Sequence, residues 1–126
     1  KIPPDFNIIF YKKIYPDIAN LNDNDIQRHY LIYGIKENRL YKTPDDFNPE
    51  DYKRIYKDLE KLDNFELMKH YILFGIKEKR IYKLPDDFNP NLYKEIYSDL
   101  IELSDKELKN HYLYNGIREG RKYKNE

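Results

Sequence analysis

The stretch Pro44-Asp45-Asp46-Phe47-Asn48-Pro49 returns unchanged as Pro85-Asp86-Asp87-Phe88-Asn89-Pro90, and a looser version, Pro3-Pro4-Asp5-Phe6-Asn7, precedes both. Phe6, Phe47 and Phe88 are thus spaced by 41 residues, and the same offset relates Tyr11, Tyr52 and Tyr93, then Tyr15, Tyr56 and Tyr97. It continues through Asp17, Asp58 and Asp99, His29, His70 and His111, and Gly34, Gly75 and Gly116. Arg39, Arg80 and Arg121 follow, then Tyr41, Tyr82 and Tyr123. Repetition this dense means one supersecondary unit used three times. The copies span residues 3–43, 44–84 and 85–126 of a single repeat domain covering 1–126.

Within a copy the punctuation reads as two helices. In copy two, Asn48 supplies an N-cap side chain and Pro49 occupies the first helical position, where a missing N–H costs nothing. Tyr52, Ile55, Tyr56 and Leu59 then recur at helical spacing as one apolar stripe. Pro16, directly after Tyr15, limits this first helix to about two turns. The second helix starts at Asp63 with Glu66, or Ser104 with Glu107, as capping boxes, and more weakly at Asn22 with Asp25. Leu67, His70, Tyr71 and Phe74 form its stripe. Gly75 is expected to end it in a left-handed conformation, with Ile76 folding back as the apolar contact. A charged connector, Lys77 to Leu84, leads into the next copy. The expected fold is therefore all-α: three tandem helix-turn-helix repeats stacked into a small solenoid-like or compact helical domain. The stripes are narrow, so neighbouring copies are expected to pool a shared core.

Composition narrows the function classes. Lys plus Arg equals Asp plus Glu, 23 of each, leaving no net field to attract nucleic acid or an anionic membrane. Aromatics at 16%, with 14 Tyr, argue against disorder, and each buried hydroxyl needs a partner. No Cys is present, no apolar run reaches membrane-spanning length, and Lys1-Ile2-Pro3-Pro4 carries no signal-peptide pattern. These grounds leave the localisation unknown. Ile, Lys, Asn and Tyr are abundant while Val is absent, as in proteins from AT-rich genomes.

The residues with chemical potential all recur. A histidine row could bind metal, but equivalent positions in stacked units lie about 8–10 Å apart, too far to share an ion held at about 2.1 Å. The reading favoured is a half-buried imidazole bonded to a backbone carbonyl or a repeated carboxylate. Asn22-Asp23-Asn24-Asp25 lacks the glycine and distant glutamate of a calcium loop and reads as a cap. Arg39, Arg80 and Arg121 could receive a carboxylate or phosphate; the favoured reading pairs them with Asp17, Asp58 and Asp99. Tyr41, Tyr82 and Tyr123, set among Lys and Arg, could stack on sugars or bases, and are otherwise hinge rings packed between units. These six Arg and Tyr positions are the candidate ligand contacts. No nucleophile elbow, phosphate loop or symmetry-breaking cluster supports catalysis, and no cofactor or metal is expected.

The unit Phe-Asn-Pro-x-x-Tyr-x-x-x-Tyr-x-Asp-Leu, followed by His-Tyr-x-x-x-Gly-Ile-x-Glu-x-Arg, resembles a short tandem repeat of bacterial and giant-virus proteins. In that family the pattern runs Phe-Asp-x-x-Tyr-Tyr, Tyr-Pro-Asp-Val, His-Tyr and Gly-x-x-Glu-Gly-Arg. The resemblance covers essentially the whole chain. Copy one carries Tyr15-Pro16-Asp17, and copy three the full Gly116-Ile117-Arg118-Glu119-Gly120-Arg121, whereas Asn38 and Lys79 stand where that last Gly falls in the other copies. Such repeats accompany glycosyltransferase domains and occur in large surface proteins. The resemblance implies an accessory, non-catalytic part, glycan handling by association, and a cytoplasmic or virion-associated place; the leading expectation is a module that holds a protein partner or adjacent domain. Direct glycan binding is the alternative, and nucleic-acid binding the third.

Overall fold

The computed structural model describes residues 1–124. Among them every regular element is helical, and the three copies are built alike. Copy one contains α1 (Ile8–Ile14) and α2 (Asp23–His29), copy two α3 (Pro49–Ile55) and α4 (Asn64–His70), and copy three α5 (Pro90–Ile96) and α6 (Asp105–His111). The all-α repeat architecture is thus as the 41-residue offset implies.

Each first helix starts at its asparagine. Asn48 Oδ1 accepts from the N–H of Glu50 at 2.9 Å and of Asp51 at 3.3 Å, while Asn7, with no proline behind it, accepts from Phe10 N at 3.0 Å. The helix stops after seven residues in all copies, because Tyr15, Tyr56 and Tyr97 are extended. Pro16 enforces this in copy one by disfavouring the α region at Tyr15. Lys57 and Ser98 impose nothing of the kind, yet Tyr56 and Tyr97 adopt the same geometry. A short 3₁₀ turn then carries Ile18, Leu59 or Leu100 into the core. The stripe from Tyr52 to Leu59 is therefore divided between two elements rather than carried by one helix.

The second helices begin as the caps require. Asp63 with Glu66 and Ser104 with Glu107 form reciprocal boxes, and Asn22 accepts from Asp25 N. Their ends differ from expectation. Gly34, Gly75 and Gly116 are right-handed and lie inside a π turn, closed in copy two by Ile76 N donating to Tyr71 O at 3.1 Å. The left-handed residue comes four positions later, at Asn38 (φ 59°), Lys79 (φ 60°) and Gly120 (φ 72°). There Arg80 N donates to Gly75 O at 2.9 Å and Lys79 N to Ile76 O at 3.1 Å, the paired bonds of a Schellman ending. Ile35 and Ile76 do not fold back; both are about half exposed.

The glycines serve close approach. A Cβ on Gly75 would collide with the Tyr52 hydroxyl and come within 2.9 Å of the Tyr71 ring; on Gly34 it would lie 2.8 Å from Tyr11 Oη. The first-helix tyrosine thus passes over the second helix where only hydrogen fits, and Tyr11, Tyr52 and Tyr93 are completely buried.

The buried residues form three clusters, one centred on each copy, and that of copy one is shared with Ile72 of copy two. Phe47 lies 5.2–5.4 Å from the rings of Tyr52, Tyr71 and Tyr82, and Phe6 and Phe88 repeat the arrangement. Tilted and edge-on geometries suit the aromatic quadrupole. Neighbouring copies meet by one rule: the second-helix face of the later copy lies on the first helix of the earlier one. At the first junction Phe65 packs edge-on against Phe10 at 5.7 Å, and Ile72 and Leu73 join the cluster of copy one. At the second, the Arg54 guanidinium stacks 3.9 Å from the Tyr114 ring, and Arg118 donates to Arg54 O at 2.6 Å.

Candidate functional site

The repeated arginine is the most highly connected polar group of each copy. In copy two, Arg80 forks onto both oxygens of Asp58, at 2.9 and 2.8 Å, and its Nε reaches Glu78 at 2.7 Å. Its flat face lies 4.6 Å from the Tyr56 ring. Arg39 repeats this with Asp17, Glu37 and Tyr15, and Arg121 with Asp99, Glu119 and Tyr97. A planar guanidinium suits simultaneous bidentate pairing and ring stacking. The hydrogen bond from arginine holds Asp17, Asp58 and Asp99 below the usual aspartate pKa. The stacked tyrosine ties down the connector as well: the Tyr56 hydroxyl accepts from Ile81 N at 2.8 Å, and the Tyr15 hydroxyl donates to Leu40 O at 2.9 Å.

Tyr41, Tyr82 and Tyr123 are half-buried, and their rings pack within their own copy, not between copies. Tyr82 donates to Asp46 at 2.8 Å, and Lys83 reaches the other oxygen of that carboxylate at 2.6 Å. Tyr41 with Lys42 holds Asp5, and Tyr123 with Lys124 holds Asp87, in the same way. The end of each copy is thereby pinned to its own beginning. Two shallow hollows of about 220 and 260 Å³ flank Tyr82 and Tyr41 at equivalent places.

The histidines bond to neither carbonyl nor carboxylate. His70 Nδ1 lies 3.0 Å from the Tyr52 hydroxyl, and His111 Nδ1 2.9 Å from that of Tyr93. Burial pushes the His70 pKa down, with the Arg80 charge adding to the effect, which favours the neutral ring. Burial likewise pushes Tyr93 up to about 12. In copy one the pair is not joined: Tyr11 Oη and His29 Nδ1 are both buried without a hydrogen-bond partner. The sequence signal for this pairing was the fixed spacing of Tyr11, Tyr52 and Tyr93 to the histidine of the same copy; the 18 residues between them concealed it. Asn22 to Asp25 forms a helix cap, and no group of three or more potential metal ligands occurs among the described residues.

The junction positions vary between copies. Phe65, which fills the first junction, is replaced in copy three by Lys106, and Phe10 is replaced in copy two by Asp51. The second junction accordingly opens into a cleft of about 830 Å³ lined by Lys53, Arg54, Lys57, Glu107, His111 and Arg118, among others. Among the described residues no helix is long and apolar enough to cross a membrane. Compared with family models, with curated proteins and with solved structures, the chain matches none.

Proposed function

We propose that the chain is a non-catalytic repeat scaffold, an accessory module that presents its variable outer faces to a protein partner or an adjoining domain. The observation that carries this reading is the internal use of the repeated polar residues. Arg, Asp, Glu and connector Tyr are spent in the same bonds in all three copies, while residues at the junctions differ between copies. A reacting centre needs one place where groups are left available and symmetry is broken. The resemblance to repeats that accompany glycosyltransferase domains is compatible with such an accessory role.

A second reading, direct glycan binding, is favoured by the paired hollows beside Tyr41 and Tyr82. Small rings could lie against the tyrosine faces there. The balanced charge and the engagement of each connector lysine with aspartate weigh against a nucleic-acid groove.

A glycan array probed with the purified chain separates the two readings. The scaffold reading expects no saturable binding. Dose-dependent retention of one glycan class, lost in Tyr41→Ala and Tyr82→Ala but not in Ile9→Ala, would replace it with the glycan reading.

A further inference from the structure

We infer that the cleft at the second junction is a binding site for a phosphate group, held by Lys53, Arg54, Lys57 and Arg118. Arg39, Arg80 and Arg121, and the connector lysines beyond them, are already engaged with aspartate. The four cations of the cleft are not. They line a space of about 830 Å³, and among the described residues none of them is paired with a carboxylate. Arg118 donates to the carbonyls of Arg54 and Ile55, neutral acceptors that leave its charge unmatched. Two carboxylates share the lining. Glu107 accepts from Ser104 N at 2.9 Å in its capping box, and Glu60 stands exposed. Four cations against two carboxylates leave this wall positive in a chain whose net charge is zero.

Arg54 is held ready for an oxyanion. Its guanidinium stacks 3.9 Å from the Tyr114 ring, and the Tyr114 hydroxyl is anchored on Asp51 at 3.3 Å. Stacking fixes the guanidinium through its face and leaves its edge, the fork of N–H donors that pairs with phosphate, unspent. Comparison of the copies separates what is general from what is particular here. Lys53 and Arg54 have basic counterparts in Lys12 and Lys13, but at that first junction Phe65 packs on Phe10 and Lys13 sits over the Phe65 ring. Lys57, by contrast, stands where the other copies have Pro16 and Ser98. Tyr114 stands where they have Ile32 and Leu73, and Asn115 where they have Tyr33 and Phe74. The departures from the repeat thus bring a cation, a ring that orients Arg54 and an amide to one place. A carboxylate would neutralise a single cation, whereas a phosphate monoester carries a charge of about −1.5 to −2 near neutral pH and matches the excess in the wall. The volume leaves room for the group that bears the phosphate.

The assignment is of binding, not reaction, so it stands beside the scaffold reading, and neither outcome of the glycan array bears on it. Isothermal titration calorimetry of the chain with inorganic pyrophosphate at low salt should show one saturable site. Citrate, which offers carboxylates at similar total charge, should bind roughly tenfold more weakly. Lys57→Ser, a residue that copy three already carries at this place, should weaken pyrophosphate about fivefold, and Arg54→Gln about tenfold. Lys12→Ser removes an equal charge outside the cleft and should leave the affinity unchanged. Vesicles containing phosphatidic acid identify the source of the group. Cosedimentation that Lys57→Ser abolishes places it on a lipid headgroup; failure to cosediment, with pyrophosphate still bound, places it on a free molecule. Absence of saturation up to millimolar pyrophosphate overturns the inference. So does citrate binding equally well, or Lys12→Ser weakening pyrophosphate as much as Lys57→Ser while circular dichroism shows both variants folded.

Discussion

At the scale of single residues, the tightest constraint is the crossing of Tyr52 over Gly75. The space is set by a hydroxyl against a Cα, so the two positions must act as a pair. Gly75→Ala is expected to destabilise the chain by about 1–3 kcal/mol, the usual range for overpacking. Tyr52→Phe removes the colliding oxygen, and the double variant should recover part of that loss in a urea-melt thermodynamic cycle. Strict additivity of the two changes would contradict the contact. The same hydroxyl lies against His70, whose burial, with the Arg80 charge, holds its pKa down and so has a consequence for pH. The folded pKa of His70 lies below its ordinary value of 6.5, so above that pH the imidazole contributes its full stability. As pH falls from 6.5 toward the folded pKa, the unfolded chain takes up the proton first and stability declines. Glu78 and Asp58, which face the ring with the opposite sign to Arg80, moderate the effect without reversing it. The carboxylates clamped by arginine respond only in more acid solution, below their ordinary 3.8. Urea midpoints measured across the histidine range should therefore fall on acidification, and His70→Gln should flatten that slope.

At the scale of elements, helix starts and the short first helices were legible, and the ends of the second helices were not. Asn48-Pro49 and the pairs Asp63/Glu66 and Ser104/Glu107 are local signals, satisfied within one turn, so the chain sequence states them directly. Gly75 carries a signal with two physical meanings, left-handed backbone and close approach. Only the position of Tyr52, in the other helix, selects the second. The true left-handed site is occupied by Asn38, Lys79 and Gly120, and one residue in three looks like a helix stop. This gives a direct test. A side chain in the left-handed region costs about 1–2 kcal/mol, less for Asn, whose amide tolerates it. Lys79→Gly should therefore stabilise the chain by about 1 kcal/mol after the added freedom of the unfolded state is counted, and Asn38→Gly by less. Chemical denaturation of both variants decides it; a loss of stability in Lys79→Gly would show that its side chain makes a compensating contact. The arginine clamp was legible as a recurring Asp and Arg, because bidentate pairing needs those two residue types. Its stacking on Tyr56 was not, since ring orientation depends on the break after Ile55.

At the scale of the whole molecule, closure of each copy on itself makes the junctions, not a common core, the carriers of cooperativity. Stability in repeat arrays is close to a sum of unit and nearest-neighbour contributions, and here the two neighbour contributions differ in kind. Phe10, Phe65, Ile72 and Leu73 give the first junction an apolar contact, whereas the second relies on Arg54, Tyr114, Asp51 and Arg118 around an open cleft. Polar contacts at a solvated edge contribute less than buried aromatic ones. Native-state hydrogen exchange should therefore find the α5 and α6 amides opening at lower free energy than those of α1 through α4. Arg118→Ala removes the donor to the end of α3 and should lower protection of copy three selectively, leaving copy one unchanged. Equal protection across all three copies would mean that the second junction couples as tightly as the first.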